Sequence, residues 1–210
     1  MSRFSLSNEC ALRALADEVA AAIQGGLDAN DGWAVQIPSL DAAVYQPPAE
    51  AQTPARPYAH RHVAGIRKSR LPSRMQALFE HFSQLENLLI WGHAPGYTEE
   101  RVGREFLDNY CHALLSGPDG PLVCAAPLGA FVLFGPDTLY KEHHHAPNEV
   151  YLAVSGGGEW KVGAHPWTPV AAGQRVFIPS NTEHAIRAGA ESLLTFSFWL
   201  DEGEMTAISI

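Results

Sequence analysis

Residues 135–160, GPDTLYKEHHHAPNEVYLAVSGGGEW, constrain the fold more than any other part of the chain. Three consecutive histidines, then Glu149 and Tyr151, are held between glycines. A strand turns successive side chains to opposite faces, so His143 and His145 share one face while His144 takes the other. Pro147 interrupts the ladder, and past that turn Glu149 and Tyr151 again lie two apart on one face. The pattern predicts a β-hairpin whose two faces enclose one interior, where two imidazoles, a carboxylate and a phenol converge. Imidazole with carboxylate is a ligand set for a divalent metal ion: zinc, iron, manganese, cobalt or nickel.

The glycine run 156–158 allows a tight reversal into a second strand over 159–162. Gly173 then opens a β-rich run, Gln174 to Ile178, ending at Pro179, Ser180 and Asn181, with His184 beyond as the fourth ligand. Asn181 tolerates a left-handed backbone, which fits a turn that returns His184 toward the site.

Gly135, His143-x-His145, Glu149 and Gly156 resemble the first cupin motif, and Gly173, Pro179 and His184 resemble the second. Two departures stand out. The gap from Gly135 to His143 is longer than the usual pattern, and Ala188 stands where that pattern often has asparagine. Tyr151, two residues after the glutamate, and Tyr140, five before His145, narrow the resemblance to the cupin-type dimethylsulfoniopropionate lyases. It covers roughly 140–184 at motif level. It implies metal binding by His143, His145, Glu149, His184 and Tyr151, and a tyrosine, Tyr151 before Tyr140, acting as base in a β-elimination. The cationic sulfonium end of such a zwitterionic substrate suits an aromatic cage, for which Trp160, Trp199, Phe134 and Phe198 are the candidates. Two rival readings remain: another metal-dependent cupin enzyme, a sugar isomerase or dioxygenase that needs no tyrosine, and a ligand-binding cupin without catalysis.

Before this region the period is helical. Ser7 is a plausible N-cap for a helix carrying Leu12, Leu15, Val19 and Ile23 on one face and ending at Gly25 and Gly26. Proline-rich sequence follows, with a short extended piece at 33–37. His60-x-His62 repeats the spacing of the later histidines but lacks a following acid, so it is read as part of a solvated basic loop with Arg56, Arg61, Arg67, Lys68 and Arg70. Pro72 and Ser73 open a second helix whose stripe, Met75, Leu78, Phe79, Phe82, Leu85 and Leu89, is either core or the interface of a homodimer. A third helix is predicted from Thr98 through Tyr110, Ala113 and Leu114 to Gly117, with His112 in a structural place.

From Pro121 onward the period shortens to 2, with short apolar runs at 129–134, 149–154, 174–178 and 193–200. The expected fold is mainly β with N-terminal helices: a helical region over 1–120, then a cupin-type β-barrel, a jelly roll, over 121–210. Neither a basic recognition helix nor a basic surface supports nucleic-acid binding, since the net charge is −9. Three widely spaced cysteines read as reduced packing residues. No apolar run approaches a membrane span and the start lacks the pattern of a signal peptide, so a cytoplasmic location is expected.

Overall fold

The computed structural model describes residues 3–29, 36–47, 57–66 and 71–201. In chain order its elements are α1 (Arg3–Gln24), β1 (Leu27–Asp28), β2 (Val44–Tyr45), a 3-10 turn (Tyr58–His62) running into α2 (Val63–Ile66), and α3 (Ser73–Leu85). There follow β3 (Ile90–Gly92), α4 (Glu99–Val102), α5 (Arg104–Asn109), β4 (Tyr110–Gly117), β5 (Leu122–Val123), β6 (Leu128–Phe134) and β7 (Leu139–His143). The last are β8 (Glu149–Ser155), β9 (Gly157–Val162), β10 (Thr168–Ala171), β11 (Gln174–Ile178), β12 (His184–Ala188) and β13 (Leu193–Trp199). The extended piece expected at 33–37 lies largely outside the described residues, as do Arg56, Arg67, Lys68 and Arg70.

The strands form two sheets. One runs β1-β11-β8-β13-β6-β4-β5-β2 with β3 paired to β4, and the other runs β10-β9-β12-β7. Side chains from both meet in one interior, where Tyr140, Trp160 and Ile186 of the smaller sheet pack with Tyr110, Phe134, Tyr151 and Ile178 of the larger. The other face of the larger sheet is covered by helices: Leu12, Leu15, Val19 and Ile23 of α1 and the α3 stripe pack on Cys111, Phe131, Leu152 and Phe196. These are the sandwiched sheets with an N-terminal helix that the sequence predicted. The α3 stripe belongs to this core rather than to a surface between subunits. Each fully buried leucine or isoleucine of α1 contributes about 1.5–3 kcal/mol relative to exposure, which fastens the helix to the sheet. Ser7 is not that cap, because the helix already begins at Arg3.

Two readings are corrected. The predicted third helix breaks at Gly103, whose φ is +87°, and residues 110–117 form β4, buried along its whole length. Cys111, Ala113 and Leu115 face the helical core while Tyr110 and Leu114 face the sheet interior. A segment apolar on both faces carries no periodic signature that separates strand from helix. β4 precedes residue 121 yet is paired along β6 from Tyr110 to Ser116.

The second correction concerns the hairpin. β7 pairs with β12, and β8 pairs with β11 and β13, so residues 144–148 cross from one sheet to the other instead of turning back along one. The step from β8 to β9 is also a crossing. There Gly156 has φ +67°, and a Cβ on it would stand 2.5 Å from the Ser192 carbonyl oxygen. Among the described residues, no helix is long and apolar enough to cross a membrane. The three cysteines are unpaired, and burial pushes the Cys111 thiol up to about 12.

Candidate metal centre

The crossing at 144–148 and the turn at 179–183 deliver the site. Asn181, at φ 55°, takes the left-handed conformation expected of it, and its N–H donates to the His145 carbonyl at 2.8 Å. The Ser180 N–H donates to Asn148 Oδ1 at 3.0 Å, so the two connections brace each other. His184 then starts β12 opposite His143 on β7. Glu149 starts β8 in the facing sheet, across from Ile178 and Trp199. Two sheets therefore contribute candidate ligands to one interior.

His145, Glu149 and His184 offer ligand atoms that all lie within 4.8 Å of one another, and all three residues are buried. His145 Nδ1 lies 3.0 Å from the Pro147 carbonyl and His184 Nδ1 lies 2.9 Å from that of Thr182. A carbonyl can only accept, so each Nδ1 carries the proton and each Nε2 of the neutral ring presents a bare lone pair. Both point at one carboxylate oxygen: Glu149 Oε2 is 3.0 Å from His145 Nε2 and 3.4 Å from His184 Nε2. Among the described residues, His184 Nε2 has no hydrogen-bond partner. With both rings neutral, lone pairs face a carboxylate in a buried interior, an arrangement that a proton or a metal cation relieves, and two imidazoles with a carboxylate form a donor set that fits a divalent metal.

The other oxygen, Oε1, accepts hydrogen bonds from the Ser197 hydroxyl and from Trp199 Nε1, the latter at 3.1 Å. These donors fix the carboxylate's rotation, the outer-shell role that metal-ligating groups depend on. Burial would raise the Glu149 carboxyl, yet His145 and His184 outweigh it and hold it well below the usual carboxylate range. Burial likewise works to lower His145, and the Glu149 charge reverses that, leaving it raised.

His143 stands beside this trio rather than within it. Its ring is 4.1 Å from that of His184 and stacks on Tyr140 at 3.9 Å, with Nδ1 at 2.8 Å from the Lys141 carbonyl. Burial, then the neighbouring His184, lowers it well below the ordinary value. His143, His145, Glu149, Tyr140 and Tyr151 all line one cavity of about 40 Å³. The Tyr140 hydroxyl is 2.5 Å from that of Tyr97. Burial first, and then the surrounding phenols, push Tyr140 well above its ordinary value; burial and the Glu149 charge do the same for Tyr151.

Of the cage candidates, Trp199 lines the cavity, with its ring 4.4 Å from that of His145. Phe134 packs on Tyr140. Trp160 lies behind Tyr151, at 6.1 Å, and Phe198 faces the helical core. Sequence reasoning missed Ser197, Tyr97, Tyr110 and Phe106. Ser197, a polar residue inside an apolar strand, carried a signal; Tyr97 sits in a loop and carried none. Among the described residues, His60 and His62 belong to no cluster that could hold a metal ion. His60 packs edge-on against Trp91 and lies 3.4 Å from Glu86, and His62 Nε2 donates to Asn109 Oδ1 at 2.9 Å, so the pair anchors the 3-10 turn rather than facing solvent.

The profile of the dimethylsulfoniopropionate lyase family matches residues 34–195. The curated dimethylsulfoniopropionate lyase DddQ of Ruegeria pomeroyi is 29% identical over 113 residues, 53% of this chain and 56% of that protein, so the match spans little more than half of the relative's length. The crystal structure of DddQ from Ruegeria pomeroyi superposes with a TM-score of 0.68 at 22% identity, covering 91% of each chain. A chain from the crystal structures of the lyases RdDddP and RnDddQII gives 0.69, again at 22% identity, covering 92% of this chain and 94% of that one. At that identity the superpositions speak for the fold alone.

Proposed function

The chain belongs to the dimethylsulfoniopropionate lyase family, and from that premise we propose that it is a metal-dependent carbon–sulfur lyase cleaving dimethylsulfoniopropionate to dimethyl sulfide and acrylate. The observation that carries this reading is that His145 and Glu149, which form the lone-pair cluster with His184, line one cavity together with Tyr151 and Tyr140. His145, Glu149 and His184 would hold the metal, with His143 and Tyr151 the adjacent side chains able to extend the set. When bound there, a divalent cation supplies Lewis-acid stabilisation of charge on the substrate carboxylate and favours the phenolate form of a neighbouring tyrosine.

The chain's own residues supply the proton chemistry. Tyr151 takes the proton from the carbon next to the carboxylate, the C–H electrons form the new double bond, and the carbon–sulfur bond breaks with its pair leaving on sulfur. A positively charged sulfonium thereby departs as neutral sulfide, and the proton remains on the tyrosine. A phenol with a pKa near 10 is a poor base at neutral pH, and burial makes it poorer still, so the reading depends on a cation beside it. Tyr140, tied to Tyr97, holds the adjacent wall. The aromatic residues Tyr110, Tyr140 and Trp199 line the cavity and give it the chemistry suited to a sulfonium.

The test pairs elemental analysis of the purified protein with headspace measurement of dimethyl sulfide. Bound divalent metal and release from dimethylsulfoniopropionate that stops on chelation are expected. A fully metallated protein that releases none rejects the assignment.

A further inference from the structure

Two residues in the wall of the site cavity also face away from it. His112 on β4 and Leu128 on β6 line the site cavity and, equally, a cleft of about 460 Å³ along the edge formed by β3 and the end of β4. The site cavity, at about 40 Å³, is less than a tenth of the cleft. A substrate of several heavy atoms must therefore arrive from a larger space and part the residues between. The cleft has that size, and it ends on the site.

The rival openings fit less well. A cleft of about 400 Å³ near β9, β10 and β11 shares no lining residue with the site cavity. A hollow of about 60 Å³ beside α4 and α5 touches it through Tyr140, but Arg101 and Lys141 line that hollow and oppose a cation. Tyr140 is also held there by Tyr97 and by the rings of Phe106 and Tyr110. Among the described lining residues of the β3–β4 cleft, by contrast, there is no lysine or arginine, and Asp119 presents an exposed carboxylate. Burial, with His93 beside it, holds His112 down to about 4, so the ring at the inner end is uncharged at neutral pH. Gly92 pairs with His112, and even a Cβ there would stand 3.9 Å from His112 Nε2, which leaves that side of the ring open to the cleft.

The geometry points to the β3–β4 cleft as the vestibule through which a small organic cation reaches the site, with His112 and Leu128 as its threshold. The inference deepens the sulfonium-substrate reading and rests on it. Asp119 gathers the cationic end at the mouth, and the uncharged His112 lets it pass.

Trimethylsulfonium is the direct probe, since it carries the cation and lacks the carboxylate needed for turnover. Titrated into the full-length zinc-loaded protein, it should shift the Leu128 methyl and His93 ring resonances saturably. Asp119→Asn should weaken that binding about two- to fivefold, the scale of one exposed charge contact. In dimethylsulfoniopropionate turnover, Gly92→Leu, which fills the cleft without lining the site, should lower kcat/KM about tenfold with metal content and Tm retained, a change within the range association steps span. Val102→Trp, in the rival hollow, should leave kcat/KM unchanged. Absence of a saturable shift overturns the proposal whatever the enzyme's substrate, as does the reverse pattern of Val102→Trp slowing turnover and Gly92→Leu leaving it intact. Saturable cleft binding in a protein that releases no dimethyl sulfide keeps the cation cleft and rejects the substrate.

Discussion

Glu149→Gln separates the metal from the fold, because the two states of the site place opposite demands on position 149. The substitution is nearly isosteric. Its amide oxygen can still accept from Ser197 and Trp199, which now bond Oε1. Its amide nitrogen brings two N–H groups to where Oε2 lies 3.0 Å from His145 Nε2 and 3.4 Å from His184 Nε2. In the metal-free protein with His145 neutral, those donors satisfy lone pairs that otherwise face a carboxylate, so at alkaline pH the metal-free Tm should hold or rise. In the metal-bound protein the same change removes an anionic ligand, and a loss of about 100-fold in affinity is expected, at or beyond the upper end of outer-shell effects. At a metal concentration about 100 times the parent Kd, binding stabilises the parent by about 2.7 kcal/mol. A chain of this length shifts by about 2–4 °C per kcal/mol, so metal should raise the parent Tm by about 5–11 °C. At the same concentration the variant gains only about 0.4 kcal/mol, or about 1–2 °C. The pH dependence has a definite sign. In the metal-free parent, His145 is raised, so its contribution is fully present below about 6.5 and is lost as pH rises through the folded value. His143 and His112, both lowered, give parent and variant alike a slope of the opposite sign, so the His145 contribution is read as a difference: in scanning calorimetry of the metal-free proteins the Tm of the parent minus that of Glu149→Gln should shrink as pH rises from about 6 to 8. A variant with a sharply lower metal-free Tm at alkaline pH and the full metal-induced increment would refute the lone-pair argument.

Tyr151→Phe should lower dimethyl sulfide release about 10² to 10⁴-fold with folding preserved, and Tyr140→Phe should do less; parental rates in both variants remove tyrosine from the mechanism. Ser197→Ala should weaken metal binding about 10- to 100-fold, read by competition with a chromogenic chelator, and an unchanged Kd shows that Ser197 does not orient Glu149. Gly156→Ala should lower the metal-free Tm, because its Cβ would meet the Ser192 carbonyl at 2.5 Å on a backbone at φ +67°; a parental thermal midpoint contradicts this. His60 and His62 should prove dispensable for metal, and a folded double alanine variant that loses metal on elemental analysis would reverse their assignment to the 3-10 turn.

The sequence by itself determined which residue types meet and on which side of the backbone they lie. His145, Glu149 and His184 were legible because imidazole and carboxylate at period-2 spacing, with a left-handed Asn181 between the runs, are local patterns that survive any tertiary arrangement. The helical stripes of α1 and α3 were legible for the same reason, one apolar face and one polar face. What the sequence left open were the features that depend on a second surface. Residues 110–117 look helical in isolation, and only burial between the helices and the second sheet makes them a strand. His143-x-His145 and Glu149 look like one hairpin, yet they open into facing sheets, since local spacing does not reveal which strand a strand will pair with. Ser197, Tyr97 and the β3–β4 cleft lie far from the motif along the chain. Packing alone brings them to it, by closing two sheets over a core whose carboxylate needs donors from the opposite strand.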